Sequence, residues 1–187
     1  MPKYGLGKLF RRYWALLGVL CLILGFALCF AVELKTTPSA RETFSLFMDF
    51  AYGSVETQKL ESHIKEVDPA IKLVGVLSFD PSSSEYDTYY SSAISCDLYL
   101  FSADYLKDKD MSEFASLDSL GASDGYKVKG TTYGLKASLS ENDYFPSPQG
   151  TYYCFFKKTS VHLGSLSDSS QSDLALTLAK DLFHADI

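Results

Sequence analysis

Histidine, cysteine and tryptophan are scarce, at three, four and one in 187 residues. No HExxH, HxH or CxxC spacing occurs, so a dedicated transition-metal site lacks its usual ligands. Four cysteines are too few for a disulfide-stapled scaffold. Six prolines and twelve glycines exclude collagen-like and low-complexity chains. There is no GxSxG, no Walker-type phosphate loop and no GxGxxG, which removes the common signatures of serine hydrolases, nucleotide hydrolases and dinucleotide enzymes. A basic excess is missing too. Lys3, Lys8, Arg11 and Arg12 are all the charges before Glu33, so the remainder carries 13 basic against 23 acidic residues. A body that acidic is a poor partner for nucleic acid, whose phosphates need surplus Lys and Arg. No nucleic-acid partner, no cofactor and no enzymatic activity is expected.

What the chain does have is one long apolar run. From Tyr13 to Val32 there are 20 residues without a charge, enough to cross the roughly 30 Å hydrocarbon core of a bilayer as a helix. Tyr13 and Trp14 stand at one end, where amphipathic rings favour the interface, and the four basic residues lie on that side. The positive-inside bias puts residues 1–12 in the cytoplasm, 13–32 in the plasma membrane and the rest outside. A cleaved signal peptide shares the basic start and apolar run, but the run exceeds the roughly 7–15 residues of a signal core. A retained single-pass anchor is the expectation, with the lipid bilayer as its first partner.

Residues 33–42 contain Pro38 and read as a tether, leaving 43–187 as one outer domain. In Thr43–Tyr52 both faces are apolar, the mark of a central strand covered on both sides. Ser54 is placed to cap a helix from Val55, in which Leu60, Ile64 and Val67 recur at helical spacing before Asp68-Pro69 stops it. Lys72–Phe79 reads as a second strand, 85–95 as a helix and Asp97–Phe101 as a buried third strand. Ser102 is placed to cap a short helix over 103–107, and Asp110 with Glu113 to box another turn. Strand–helix–strand–helix–strand is the grammar of a parallel sheet. Further on, Tyr126–Lys129 and Thr131–Ala137 suggest a hairpin about Gly130, Thr151–Lys157 a strand rich in β-formers, and Leu174, Leu178 and Leu182 a final helix with Ala175, Ala179 and Phe183 on its core side. The fold class is α/β with a mainly parallel sheet.

Several phrases carry a resemblance: CDLYLFSADYLKDKD (96–110), FASLDSL (114–120), TTYGLKAS (131–138) and TYYCFFKKTSVHLG (151–164). Together with the N-terminal anchor, the chain resembles a group of membrane-anchored bacterial proteins whose outer part looks like one lobe of an extracellular solute-binding protein. The resemblance implies an extracytoplasmic binding or accessory module, placed beside a membrane transporter or another envelope protein. Full solute-binding proteins have two lobes closing on a ligand, and this chain has room for one. The alternative is a structural or assembly protein of the envelope with no small-molecule ligand.

In an open α/β sheet, ligands sit beyond the carboxyl ends of the strands. That rule makes Tyr52, Ser54, Asp80, Ser102 and Asp104 the candidate ligand-binding residues, with helix N-terminal amides at Ser54 and Ser102 suiting an anion. Plain helix capping explains both serines equally. Tyr86, Tyr89 and Tyr90 on one helix, and Tyr144 with Phe145 in a loop, suggest either a stacking surface or ordinary packing. His63 is expected to face solvent. Cys96 and Cys154 are either buried thiols or a disulfide pair.

Overall fold

The computed structural model describes residues 6–185 apart from 52, 94, 108, 141–142 and 146–148; at 6–12, 15, 17, 34–36 and 92 it describes the backbone only. The chain divides into two units, Met1–Pro38 and Ser39–Ile187.

The first unit is one helix, α1 (Leu6–Thr36). It continues four residues into the expected tether and stops where Thr37, just before Pro38, turns its hydroxyl back onto the Glu33 carbonyl at 2.8 Å. Its described apolar side chains are exposed, among them Leu22, Phe26, Leu28 and Phe30, each by more than 60%. Among the described residues no helix is long and apolar enough to cross a membrane, so they do not support the single transmembrane helix expected over 13–32.

The second unit is built on one six-stranded sheet: β1 (Thr43–Met48), β2 (Leu73–Ser78), β3 (Leu98–Ser102), β4 (Tyr126–Val128), β5 (Thr131–Ala137) and β6 (Tyr152–Phe156). The spatial order is β2-β1-β3-β6-β5-β4. β2, β1 and β3 are parallel; β3, β6, β5 and β4 are antiparallel. The α/β class holds, and the sheet is mixed: the expected parallel pairing is confined to β2, β1 and β3. Parallel neighbours need a crossover helix, which only the first half supplies: α2 (Thr57–Val67) and α3 (Tyr86–Ser92). The second half is a tight hairpin plus a returning strand. At the β4–β5 turn Lys129 and Gly130 both have positive φ, 51° and 89°, the requirement of a two-residue type I′ turn.

Alternation along the strands sorts the interior into two layers. Phe44, Leu46 and Met48 of β1 join Leu98 and Leu100 on the face covered by α2 and by the last helix, α4 (Leu174–Phe183). Phe47, Tyr99, Phe101 and Phe155 point to the other face, with Tyr86 of α3 and Ala93 just after it. β1 is thus the doubly covered central strand that its sequence predicts. The opposite layers also separate Cys154 from Cys96, and both are free thiols. Gly134 in β5 lies against the Phe155 ring, so closely that a Cβ there would sit 2.8 Å from Cζ.

Two expected caps are absent. The Ser54 hydroxyl bonds the Ala51 carbonyl at 2.6 Å, and α2 starts three residues later without a side-chain cap. Ser102 precedes only a 3-10 turn (Ala103–Tyr105), again uncapped by its hydroxyl. The Asp110 cap does form, by accepting from the Ser112 amide at 2.9 Å.

Candidate functional site

The chain leaves β1 at Met48, and the next residue is Asp49. Its amide donates to the Leu100 carbonyl at 2.9 Å, which pins it between the carboxyl ends of β1 and β3. The connections leaving β1 and β2 cover opposite faces of the sheet, so this is where the winding reverses and where ligand crevices form in open α/β sheets. The Asp49 carboxylate is 2% exposed. Oδ1 accepts the Tyr86 hydroxyl at 2.5 Å and Oδ2 accepts the Ser102 amide at 3.0 Å. Burial raises its pKa to about 6, against the opposing pull of those two donors and of Lys109.

Tyr86, the first residue of α3, connects this buried acid to a cation. Its Oη accepts a hydrogen bond from Lys109 Nζ at 3.1 Å. The ammonium lies 3.8 Å from the Tyr90 ring centroid, 4.6 Å from Phe101 and 4.7 Å from Tyr86. Three ring faces within about 6 Å of one cation make a cage in which the ring quadrupoles attract the charge. Burial lowers the Lys109 pKa, while Asp49 and Asp87 hold it up. α3 supplies Tyr86 and Tyr90 one turn apart, β3 supplies Phe101, and the loop after the 3-10 turn at Ala103–Tyr105 supplies Lys109.

Over this cluster opens a cavity of about 660 Å³, in which Tyr86, Tyr90 and Tyr105 meet Lys107 and Lys109. Four carboxylates, Asp87, Asp104, Asp110 and Glu113, line it as well. The volume falls within the range of small-molecule sites, about 300–1,000 Å³. Asp110 is committed to Ser112, through both its amide and its hydroxyl.

Of the candidate residues from sequence, Asp104 lines the cavity. Ser102 lies beneath it, buried, and contributes its amide to Asp49. The helix whose N-terminal amides were expected here is only a 3-10 turn, and its first amide, that of Ala103, donates to the Thr151 carbonyl at 2.8 Å. Asp80 sits at the carboxyl end of β2 but closes its own turn, accepting from the Ser82 amide at 2.8 Å and hydroxyl at 2.6 Å; these bonds lower its pKa. Ser54 belongs to a separate turn, and Tyr52 lies outside the described residues. Asp49 and Lys109 carried no signal in the sequence. The first stands inside an apolar run, FMDF, and the second inside a charged one, KDKD.

The other aromatic and histidine candidates are structural. Phe145 is 2% exposed and stacks on Phe50 at 5.5 Å, so the Tyr144-Phe145 loop is anchored in the core. Tyr89 stacks on Phe79 with centroids 4.0 Å apart. His162 is buried, with Nε2 2.8 Å from the Thr43 carbonyl and Nδ1 2.8 Å from the Ser172 hydroxyl. His63 does not simply face solvent. Its Nε2 pairs with Asp181 at 2.7 Å, tying α2 to α4 at the edge of a shallow groove. Among the described residues no group of His, Cys, Asp and Glu could hold a metal ion. Comparison with protein-family models, with curated proteins and with solved structures gave no match.

Proposed function

We propose that the chain is a single-pass bacterial membrane protein whose outer α/β domain is a non-enzymatic module binding a small solute, in the manner of one lobe of a solute-binding protein. The cavity beyond β1, β2 and β3 is the observation that carries the binding half. It joins aromatic walls to a charge hub anchored on a buried carboxylate at the point where the sheet's winding reverses. Asp49 has both oxygens engaged by Tyr86 and Ser102, so it positions the hub and is not offered to a substrate.

The membrane half rests on the full uncharged run from Tyr13 to Val32, its basic flank on one side and the acidic domain on the other. Apolar side chains exposed around α1 need a covering phase, which lipid supplies. Tethering at the bilayer raises the effective concentration of the domain beside a transporter or another envelope protein.

Thermal unfolding of the detergent-solubilised full chain against sugars, amino acids, oligopeptides and alkylamines tests the binding half. A ligand that binds only the folded form raises the midpoint by mass action. At least one solute class is expected to do so, and Tyr90→Leu to abolish the shift. Silence across the panel would overturn the binding function in favour of an assembly role.

A further inference from the structure

We infer that the cavity takes a primary alkylammonium solute, and that Lys109 occupies the place of the ligand's ammonium until the solute displaces it. The inference rests on the binding function proposed above and adds the ligand class and a built-in competitor.

The cage is already a cation site, because a cation is in it. Three rings face the Lys109 ammonium at 3.8–4.7 Å. Without Lys109, those three faces remain, together with the Tyr86 oxygen, whose own hydrogen is given to Asp49. That oxygen is left as an acceptor, 3.1 Å from where the nitrogen was. An acceptor plus three electron-rich ring faces suits a group that carries both positive charge and an N–H donor. A quaternary ammonium satisfies the rings but not the oxygen, and a carboxylate satisfies neither. The lining adds the same preference, since Asp87, Asp104, Asp110 and Glu113 outnumber Lys107 once Lys109 has swung away. Clefts lined by one sign of charge concentrate the opposite sign. Lys109 is on a loop between two 3-10 turns, Ala103–Tyr105 and Met111–Glu113, and its four-carbon stem allows the ammonium to leave without moving the sheet.

A site filled by its own side chain binds an outside ligand with an affinity reduced by the fraction of time the cage is open. Removing Lys109 therefore strengthens binding, whereas removing a ligand contact would weaken it. The test is calorimetric titration of n-butylammonium into the full chain in detergent micelles, for wild type and Lys109→Ala. Tetramethylammonium, 1-butanol and butyrate serve as controls, and circular dichroism checks the fold. Lys109→Ala is expected to bind n-butylammonium at least tenfold tighter than wild type and tighter than tetramethylammonium, with no measurable 1-butanol or butyrate binding. Adding Tyr90→Leu should abolish it. If that double variant does not fold, adding Asp87→Asn and Asp104→Asn to Lys109→Ala should weaken binding several-fold instead. A folded Lys109→Ala that ignores n-butylammonium, or binds it no better than wild type or 1-butanol, overturns the inference. If that variant instead binds a sugar, amino acid or peptide in a Tyr90-dependent way, the binding function stands and only the ligand class falls.

Discussion

Asp49 is a carboxylate whose ionised form is less favoured than in water, because burial outweighs its two hydrogen bonds and the nearby Lys109 charge. Its folded pKa of about 6 stands above the ordinary 3.8, so the folded protein holds that proton more tightly than the unfolded chain does. The stability this adds is complete below about pH 4 and is lost as pH rises through about 6. Two pKa units correspond to about 3 kcal/mol. Asp49→Asn keeps the shape and removes the titration, so between pH 4 and pH 7 its unfolding free energy is expected to gain up to about 3 kcal/mol on wild type. Parallel denaturation curves at the two pH values would contradict this. The thiols give a second check at the same scale. Burial pushes the Cys96 thiol up to about 11 and the Cys154 thiol higher still. Both are expected to ignore a thiol reagent at pH 8 until the chain is unfolded, with or without prior reductant. Fewer reactive thiols in the unfolded, unreduced sample would instead show a disulfide.

Two strand glycines look alike in sequence and differ in what surrounds them. Gly134 faces the Phe155 ring, which itself packs on Phe101 and Phe114 at 5.4 and 5.2 Å. Gly134→Ala is expected to cost about 1–3 kcal/mol as the ring is forced from its place. At Gly75 in β2 the nearest atom to an added Cβ is Ser45 Cβ at 3.7 Å, an ordinary contact. Gly75→Ala is expected to be neutral or to stabilise by about 0.4–1 kcal/mol through the unfolded state. Denaturant midpoints of the two variants check this, and equal effects would contradict it. The same contrast marks what was legible in the sequence. β1, β2, β3, the β4–β5 hairpin and the buried face of α4 could be read because their signals are local: alternation, a turn dipeptide, a leucine every fourth residue. The placing of β6 between β3 and β5 could not, since it joins residues about fifty positions apart, such as Leu100 and Cys154. The site follows the same division. Asp104 was found from the strand-end rule, whereas Asp49 acquires its meaning only when Tyr86 and Ser102 arrive 37 and 53 residues later in the chain. Ser54 misled because a serine before an apolar helix fits both a cap and a turn.

At the scale of the whole molecule, the sequence runs from a basic tail through an apolar stretch to an acidic domain, an order for which we propose a bilayer as the common cause. On the proposed topology the four cationic residues stay in the cytoplasm, the uncharged run from Tyr13 to Val32 fills the hydrocarbon, and the domain folds in water outside. The most direct test is lysine labelling of spheroplasts expressing the full chain, with an amine reagent that cannot cross the membrane, read by mass spectrometry of the membrane fraction. Exposed domain lysines such as Lys59, Lys127, Lys136 and Lys180 are expected to be modified in sealed cells, and Lys3 and Lys8 only after lysis. Recovery of the chain in the soluble fraction, or modification of Lys3 and Lys8 in sealed cells while the domain lysines stay protected, would contradict the account.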